Sequence, residues 1–397
     1  MKLIYVTSSL PYGPAEPFLI PEMLALRARG HEVAVVPLYP RGEFVHREAQ
    51  SLYNPQFCKP LISWEILWTA IKVFFYTPLR SLEALRLLFA SNLKHLAKNL
   101  IAYPKGLWLA KVVQEWGAEH IHAHWASTTS SMAMVASEIS GIPWSLTAHR
   151  WDIVENNLLR RKAFHACFFR CISQKTKEMA AEQGVPRDKL LVLHLGIKLP
   201  KNTVCKKPND LKRFVILCPA AFIPRKGHKY LIEALHDLPR EVELWLAGEG
   251  ELRPKIEEQI KNLNLTERVR FLGYISHEEI LRLYQRGEVN AVVLPSVDLG
   301  DGFNEGIPVS LIEAMSFSIP VISTQTGGIP ELLGGGAGVL VSPKDSKDLS
   351  AAIQKLFEDQ TFAKKVGLAG QRRVQKEFDV KQIVARLEAL FHNKSLS

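Results

Sequence analysis

The sequence predicts an α/β chain made of two doubly wound, parallel-sheet domains in tandem, and three observations predict it. At 397 residues it is too long for one ordinary hydrophobic core, so two domains are expected. Short apolar runs alternate with helical patterns through both halves, the rhythm of β–α units laid side by side in a parallel sheet. Between the halves, Lys198 to Lys212 is polar, carries Pro200, Asn202, Pro208 and Asn209, and has no apolar period.

The apolar runs of the first half place strands near 2–7, 32–37, 119–124, 144–148, 166–172 and 190–194. Those of the second half place them near 213–218, 242–247, 268–272, 289–294, 320–323 and 338–341. Helices fill the intervals, for example Lys229 to His236 and Leu252 to Leu263. The boundaries drawn are 1–197, a linker at 198–212, 213–379, and a final helix in 380–397 that is free to cross back to the first half. Sheets of this kind receive ligands at the carboxyl ends of their strands, so the two domains are expected to face each other across a cleft.

Residues 55–112 break the alternation and read as a helical insertion. Leu61, Trp64, Trp68, Ile71 and Phe75 fall at helical spacing with Lys72 off that face. One reading packs this aromatic face on the first domain; the other rests it on a membrane surface or a lipid-linked substrate. Between Lys59 and Lys111 stand eight Lys or Arg (59, 72, 80, 86, 94, 98, 105, 111) against Glu65 and Glu83, more than half of the net +10. Such charge calls for an acidic partner. Nucleic acid is not expected, because no nucleic-acid motif accompanies it.

Met1 to Val6 is too short an apolar run for a signal peptide and reads as a buried strand. The window from Leu61 to Leu79 is interrupted by Glu65 and Lys72, so a spanning helix is not expected. Five cysteines (Cys58, Cys167, Cys171, Cys205, Cys218) without a CxxC pair favour a reducing cytoplasm, with the chain peripheral on the inner membrane face.

The chemistry concentrates in Glu305-Gly306-Ile307-Pro308-Val309-Ser310-Leu311-Ile312-Glu313-Ala314-Met315. Two carboxylates lie eight residues apart across a predicted helix start, with Pro308 suited to its first turn. Eight helical residues rise about 12 Å, roughly the distance from sugar to ribose in an extended nucleotide-sugar. The N–H groups of the helix start would then face the diphosphate between them. Pro224-Arg225-Lys226-Gly227 puts two cations on a strand-to-helix loop, where they would stabilise a departing diphosphate. Val321-Ile322-Ser323 runs into the Gly327-Gly328 turn, and Val293-Leu294 into Pro295-Ser296. No GxGxxG follows the first strand of either half, which disfavours a dinucleotide-dependent dehydrogenase.

With these residues in view, the second half closely resembles the nucleotide-binding domain of family 4 glycosyltransferases of the GT-B fold, which are built from two Rossmann-like domains. The matching blocks are Lys226-Gly227, Gly248-Glu249-Gly250, Pro295-Ser296, Glu305 through Met315, Pro320-Val321-Ile322 and Gly327-Gly328-Ile329-Pro330-Glu331. The first half resembles the bacterial exopolysaccharide, colanic-acid-type branch, through Pro11-Tyr12-Gly13-Pro14-Ala15-Glu16-Pro17-Phe18, His122-Ala123-His124-Trp125 and Thr147-Ala148-His149-Arg150-Trp151-Asp152. The resemblance implies a retaining, metal-independent transferase with a UDP- or GDP-linked sugar as donor and no cofactor. It implies His149, Glu305 and Lys226 as catalytic residues. Arg225, Gly248, Gly273, Tyr274, Gly306, Ile307 and Glu313 join Lys226 and Glu305 on the donor, with Glu313 on its ribose. Gly13, Glu16, His124 and Asp152 are expected on the acceptor side of the cleft.

Two departures stand out. The family commonly carries Arg where this chain has Ala221, which leaves open a catalytically silent partner; a nucleotide-sugar epimerase or hydrolase on the same fold is the other alternative. Ser318 stands where Gly is usual. His120, His122 and His124 alternate on one strand and share a face, a zinc-like spacing. With no carboxylate or cysteine nearby in sequence to complete a set, metal is not expected, and His124 is placed in the cleft. The expected acceptor is a glycan or lipid-linked oligosaccharide in bacterial surface or exopolysaccharide synthesis, with anionic membrane as a peripheral partner.

Overall fold

A computed structural model of the chain describes residues 1–13, 16–43, 47–200, 213–300 and 305–392. It falls into two compact units, residues 1–196 with 380–397, and residues 197–379. Most of the predicted 198–212 linker lies outside the described residues.

The first unit holds a six-stranded sheet of β1 (Lys2–Thr7), β2 (Glu32–Pro37), β3 (His120–His124), β4 (Trp144–Ala148), β5 (Phe169–Cys171) and β6 (Leu190–Val192), in the order β2-β1-β3-β4-β5-β6. The second holds β7 (Phe214–Pro219), β8 (Val242–Ala247), β9 (Val269–Gly273), β10 (Ala291–Leu294), β11 (Val321–Thr324) and β12 (Val339–Val341), in the order β12-β11-β10-β7-β8-β9. Each neighbouring pair is parallel, as in Leu3 opposite Val33 and Ile216 opposite Val242's second neighbour Leu244. Near-continuous runs such as Leu3-Ile4-Tyr5-Val6 are buried on both faces because helices cover both sides. In each sheet the order reverses once, between β1 and β3 and between β7 and β10. Loops leaving adjacent strands at such a point part to opposite faces and leave room for a ligand.

The helix Val380–His392 belongs to the first unit. Val380, Ile383, Val384, Leu387 and Phe391 are buried in one core with Leu3, Tyr5 and Leu26. Arg29 and His31 hold Glu388 at 2.5 and 3.0 Å. Gly196 permits the close approach, since a Cβ there would lie 2.6 Å from the Val380 Cα.

The helical insertion departs from the packed reading of its aromatic face. The helix Trp64–Tyr76, capped by Ser63, buries Ile66 and Ala70. Trp64 is 80% and Phe75 76% exposed, with Trp68 and Ile71 also outside and the two indoles stacked 6.4 Å apart. The basic platform is also smaller than its sequence suggests. Lys105 is buried, and its ammonium donates to the carbonyls of Pro37, Leu38 and Lys59. Lys59, Lys98 and Lys111 are paired with Glu65, Glu155 and Glu115. No helix among the described residues is long and apolar enough to cross a membrane.

Candidate active site

In the second unit the predicted motifs meet at the carboxyl edge of the sheet, at the β7/β10 reversal. The loop after β7 turns at Gly227, whose φ of +68° and 2.0 Å approach of a would-be Cβ to the Pro295 carbonyl leave room only for glycine. The Val297 N–H donates to the Arg225 carbonyl at 2.8 Å, which ties the loops after β7 and β10 together. Lys226 Nζ then lies 2.8 Å from Glu305 Oε2, both side chains mostly covered. Gly328 N–H donates to the Glu305 carbonyl, and a Cβ at Gly328 would press on Ile307 and Gly306. The loops after β7, β10 and β11 are thus locked backbone to backbone around one ion pair.

The remaining donor-side residues flank this knot. Gly248 donates its N–H to the Gly273 carbonyl at 2.8 Å, joining the ends of β8 and β9. Tyr274 projects into solvent. Arg225 is half-buried, and its Nε has no hydrogen-bond partner among the described residues. Pro308 is not in the first helical turn as expected: it caps the helix Val309–Ser316, with an extended ψ of 119°, so loop and helix share the interval between the two glutamates. Glu313 accepts from His277 at 2.6 Å, a partner that sequence spacing gave no reason to choose. Residues 301–304 of the motif lie outside the described residues.

In the first unit the β1/β3 reversal is the counterpart. The Glu16 carboxylate gathers the N–H groups of Ser8, Ser9 and Leu10 at 3.0, 2.7 and 2.8 Å. It also accepts from the Trp125 indole at 2.5 Å. The loop after β1 is thereby fastened to the residue after β3. Trp125 has a φ of +78°, a costly backbone state for a bulky residue and one that marks sites held by their surroundings. Its ring lies 4.2 Å from that of His149, with Phe18 5.4 Å from His149 on another side. Gly13 lies on the same loop as Glu16, with a φ of +70° and its N–H bonded to the Glu43 carbonyl.

His149 follows β4 and caps the helix Arg150–Glu155. Its Nε2 is 2.8 Å from His124 Nε2, and its N–H donates to Asp152 at 2.8 Å. Burial, helped by the Arg170 charge, pushes the His149 imidazole down to about 3, so it works as a neutral hydrogen-bonding group. Burial raises the Asp152 carboxyl to about 7, against the pull of backbone N–H donors and Lys162.

The expectation that Glu16, His124 and Asp152 face an acceptor is corrected here. All three are buried, and their polar atoms hold the Trp125–His149 wall from behind. The cause is local: a carboxylate among several backbone donors gains more from them than from solvent. The histidine triplet is corrected too. A carboxylate does approach it, since Glu22, His122 and His124 offer atoms within 4.8 Å of one another. Yet Glu22 is taken by Arg170 at 2.7 Å and Tyr5 at 3.0 Å. His122 spends both nitrogens on Ser145 and Thr147, so the triplet is a hydrogen-bonded core. Trp125 and Phe18, which the sequence presents only inside longer motifs, pack on His149 beside His124.

Known proteins match both halves. The family described as "Glycosyltransferase Family 4" matches residues 23–200, and that described as "Glycosyl transferases group 1" matches residues 202–373. The amylovoran biosynthesis glycosyltransferase AmsK of Erwinia amylovora is 30% identical over 212 residues, 52% of each chain. The putative colanic acid biosynthesis glycosyltransferase WcaL of Escherichia coli is 29% identical over 216 residues, 53% of this chain and 52% of its own. The chain thus spans about half the length of these curated relatives. The crystal structure of Anabaena HepE in complex with UDP superposes with a TM-score of 0.69 at 18% identity, covering 98% of this chain and 99% of that one. Two parallel sheets with their sites at strand ends, matched half by half by the two families and over nearly the whole chain by this fold, make the chain a member of the family 4 glycosyltransferases of GT-B architecture.

Proposed function

We propose that the chain is a retaining transferase that moves a sugar from a UDP- or GDP-linked donor, held by the second unit, to a glycan or lipid-linked oligosaccharide, held by the first. The Lys226–Glu305 pair at the β7/β10 reversal carries this reading. As the anomeric bond breaks, negative charge builds on the departing diphosphate, and a fixed ammonium in a mostly covered site lowers that cost. Arg225, next to Lys226 on the same loop, supplies a second cation where Ala221 has none. Glu305 accepts from the sugar hydroxyls and Glu313 from the ribose. Glu305 bonded to Lys226 is a poor covalent nucleophile, which favours same-face attack by the acceptor over double displacement. Neutral His149, on the first unit, is the hydrogen-bonding group that the family resemblance assigns to catalysis.

Support for the donor class comes from HepE, which binds UDP and UDP-glucose. Support for surface-polysaccharide synthesis comes from the pathways in which AmsK and WcaL are named. Charge neutralisation by Lys226 and Arg225 makes the reaction independent of a metal. The exposed aromatic face of Trp64–Tyr76 supports peripheral contact with a membrane interface, which favours Trp at headgroup level. Lys72, 5.3 Å from the Trp68 ring, would keep its ammonium among the headgroups.

A panel of nucleotide-sugars screened for thermal stabilisation identifies the donor. With that donor, Glu305→Gln is expected to cut turnover by about 100-fold or more at unchanged melting temperature. Full activity in this variant overturns the assignment. Stabilisation by no nucleotide-sugar favours the silent partner, and donor consumption without acceptor favours the hydrolase.

A further inference from the structure

In the second unit the helix His277–Arg286 follows β9, and the helix Val309–Ser316 follows the loop that carries Glu305. Helical residues four or seven apart share a face. His277 and Tyr284 therefore lie on one side of the first helix, and Glu313 and Phe317 on one side of the second. These sides meet twice. Tyr284 is buried, with its ring 5.7 Å from that of Phe317. His277 Nε2 lies 2.6 Å from Glu313 Oε1.

The second contact is uneven. The Glu313 side chain is 14% exposed and that of His277 58%, so the imidazole covers the carboxylate on its solvent side. An ionised carboxylate can accept about four hydrogen bonds. Among the described residues Glu313 receives one, on Oε1, and Oε2 receives none. No described Lys or Arg pairs with it, in contrast to Glu305, which Lys226 holds. Covering a charge is costly while its acceptor sites stay empty. Glu313 is thus half-satisfied, with one oxygen anchored and the other left for a ligand.

His277 is itself set by its backbone. The Ser276 hydroxyl accepts from the Glu279 N–H at 3.3 Å, and the Glu279 carboxylate accepts from the Ser276 N–H and hydroxyl at 2.7 and 2.8 Å. This capping box fixes the helix start on which His277 is the first residue. Only Tyr274, Ile275 and Ser276 separate it from Gly273, whose carbonyl is bonded to Gly248 at the end of β8.

We propose that His277 is a positioning residue for the nucleotide: its imidazole anchors Oε1 of Glu313 so that Oε2 meets the ribose hydroxyls. Engagement of one oxygen alone argues for positioning and against a latch, which would occupy both. An anchored carboxylate gives up little freedom when a nucleotide arrives, whereas a loose one must be ordered at that moment. His277 thereby sets how strongly the chain prefers a ribonucleotide to one without ribose hydroxyls. The inference rests on the transferase reading and on the ribose role of Glu313.

The test is calorimetric titration of the full chain with UDP, GDP and their 2′,3′-dideoxy forms. One of the two ribonucleotides is expected to bind about tenfold or more tightly than its dideoxy form, because a site built to bond hydroxyls rejects a ligand lacking them. His277→Ala, at an exposed side chain and so compatible with folding, is expected to weaken the ribonucleotide about fivefold or more and the dideoxy form by less than about twofold. His277→Gln, which keeps an N–H donor at the end of its side chain, is expected to restore most of the lost preference. An equal loss for both forms means a general disturbance of the loop and overturns the proposal. So does an unchanged preference, a glutamine variant as weak as the alanine one, or tighter ribonucleotide binding by His277→Ala, the mark of a latch. Equal binding of ribose and dideoxy forms by the unaltered chain removes the ribose role of Glu313 and the proposal with it, while leaving the transferase reading intact. Binding of neither UDP nor GDP sinks that reading together with the inference.

Discussion

Ser318 shows what a single residue costs and why the family prefers glycine at its position. The helix Val309–Ser316 ends with Ser318 N–H bonded to the Met315 carbonyl and Ile319 N–H to that of Ala314. This is the crossed pattern of a helix end that needs a left-handed residue, and Ser318 has a φ of +60°. Ser318→Gly is therefore expected to stabilise the second unit by about 1 kcal/mol, read as a shift in denaturant midpoint. A loss of stability would show that the serine side chain contributes something the backbone argument omits. Lys226, Gly227 and Glu305 were legible in the sequence because backbone geometry dictates their spacing: only glycine clears the Pro295 carbonyl. Glu16, His124 and Asp152 were legible as motif members but not in role. A loop around a ligand site needs residues that reach the ligand and residues that hold the loop, and spacing does not separate the two. The Glu313–His277 contact was not legible at all, since it joins two helices 36 positions apart in the chain.

At the scale of elements, every strand lies within three residues of its predicted place, because a parallel sheet covered on both faces leaves an unbroken apolar run for each strand. The helical insertion was legible only in part. The period of Trp64, Trp68, Ile71 and Phe75 states that they share a face, and it cannot state whether that face turns inward. Ile66 and Ala70 win the interior since their smaller side chains fit against the neighbouring helix Leu93–Trp116. Replacing Trp64, Trp68 and Phe75 together by serine is expected to change folding stability by only about 0.5 kcal/mol per site, as these side chains are already in water. Binding to lipid vesicles should fall at least tenfold in a sedimentation assay. Reversing Lys94 should matter far less, and the opposite ranking would return the membrane contact to electrostatics.

At the scale of the whole molecule, the buried histidines of the first unit set its response to acid. Burial lowers His120 and His149 to about 3, and it pushes His122 and His124 well below the ordinary value. Unfolded, all four take up protons below about pH 6.5, so between pH 6.5 and 3 the unfolded state binds more protons and stability falls as pH falls. Asp152, raised to about 7, acts with opposite sign over pH 4 to 7 and offsets one of the four. The histidines outnumber Asp152, so the net effect near pH 5 is a loss of stability as pH falls. Urea midpoints of the first unit's transition measured from pH 7 to 5 should drop steeply, and a flat profile would mean that the histidines are charged in place.

The helix Val380–His392 brings the order of synthesis into the account. The first unit's sheet is made before the second unit, yet the core around Leu3, Tyr5 and Leu26 lacks Val384, Leu387 and Phe391 until residues 384–391 follow that unit. At ordinary elongation rates the wait is about 10–40 s. The second unit, contiguous from 197 to 379, can close before it. Of the two units, the one begun before the other is thus completed after it, and its unfinished apolar face is what a nascent-chain chaperone would meet.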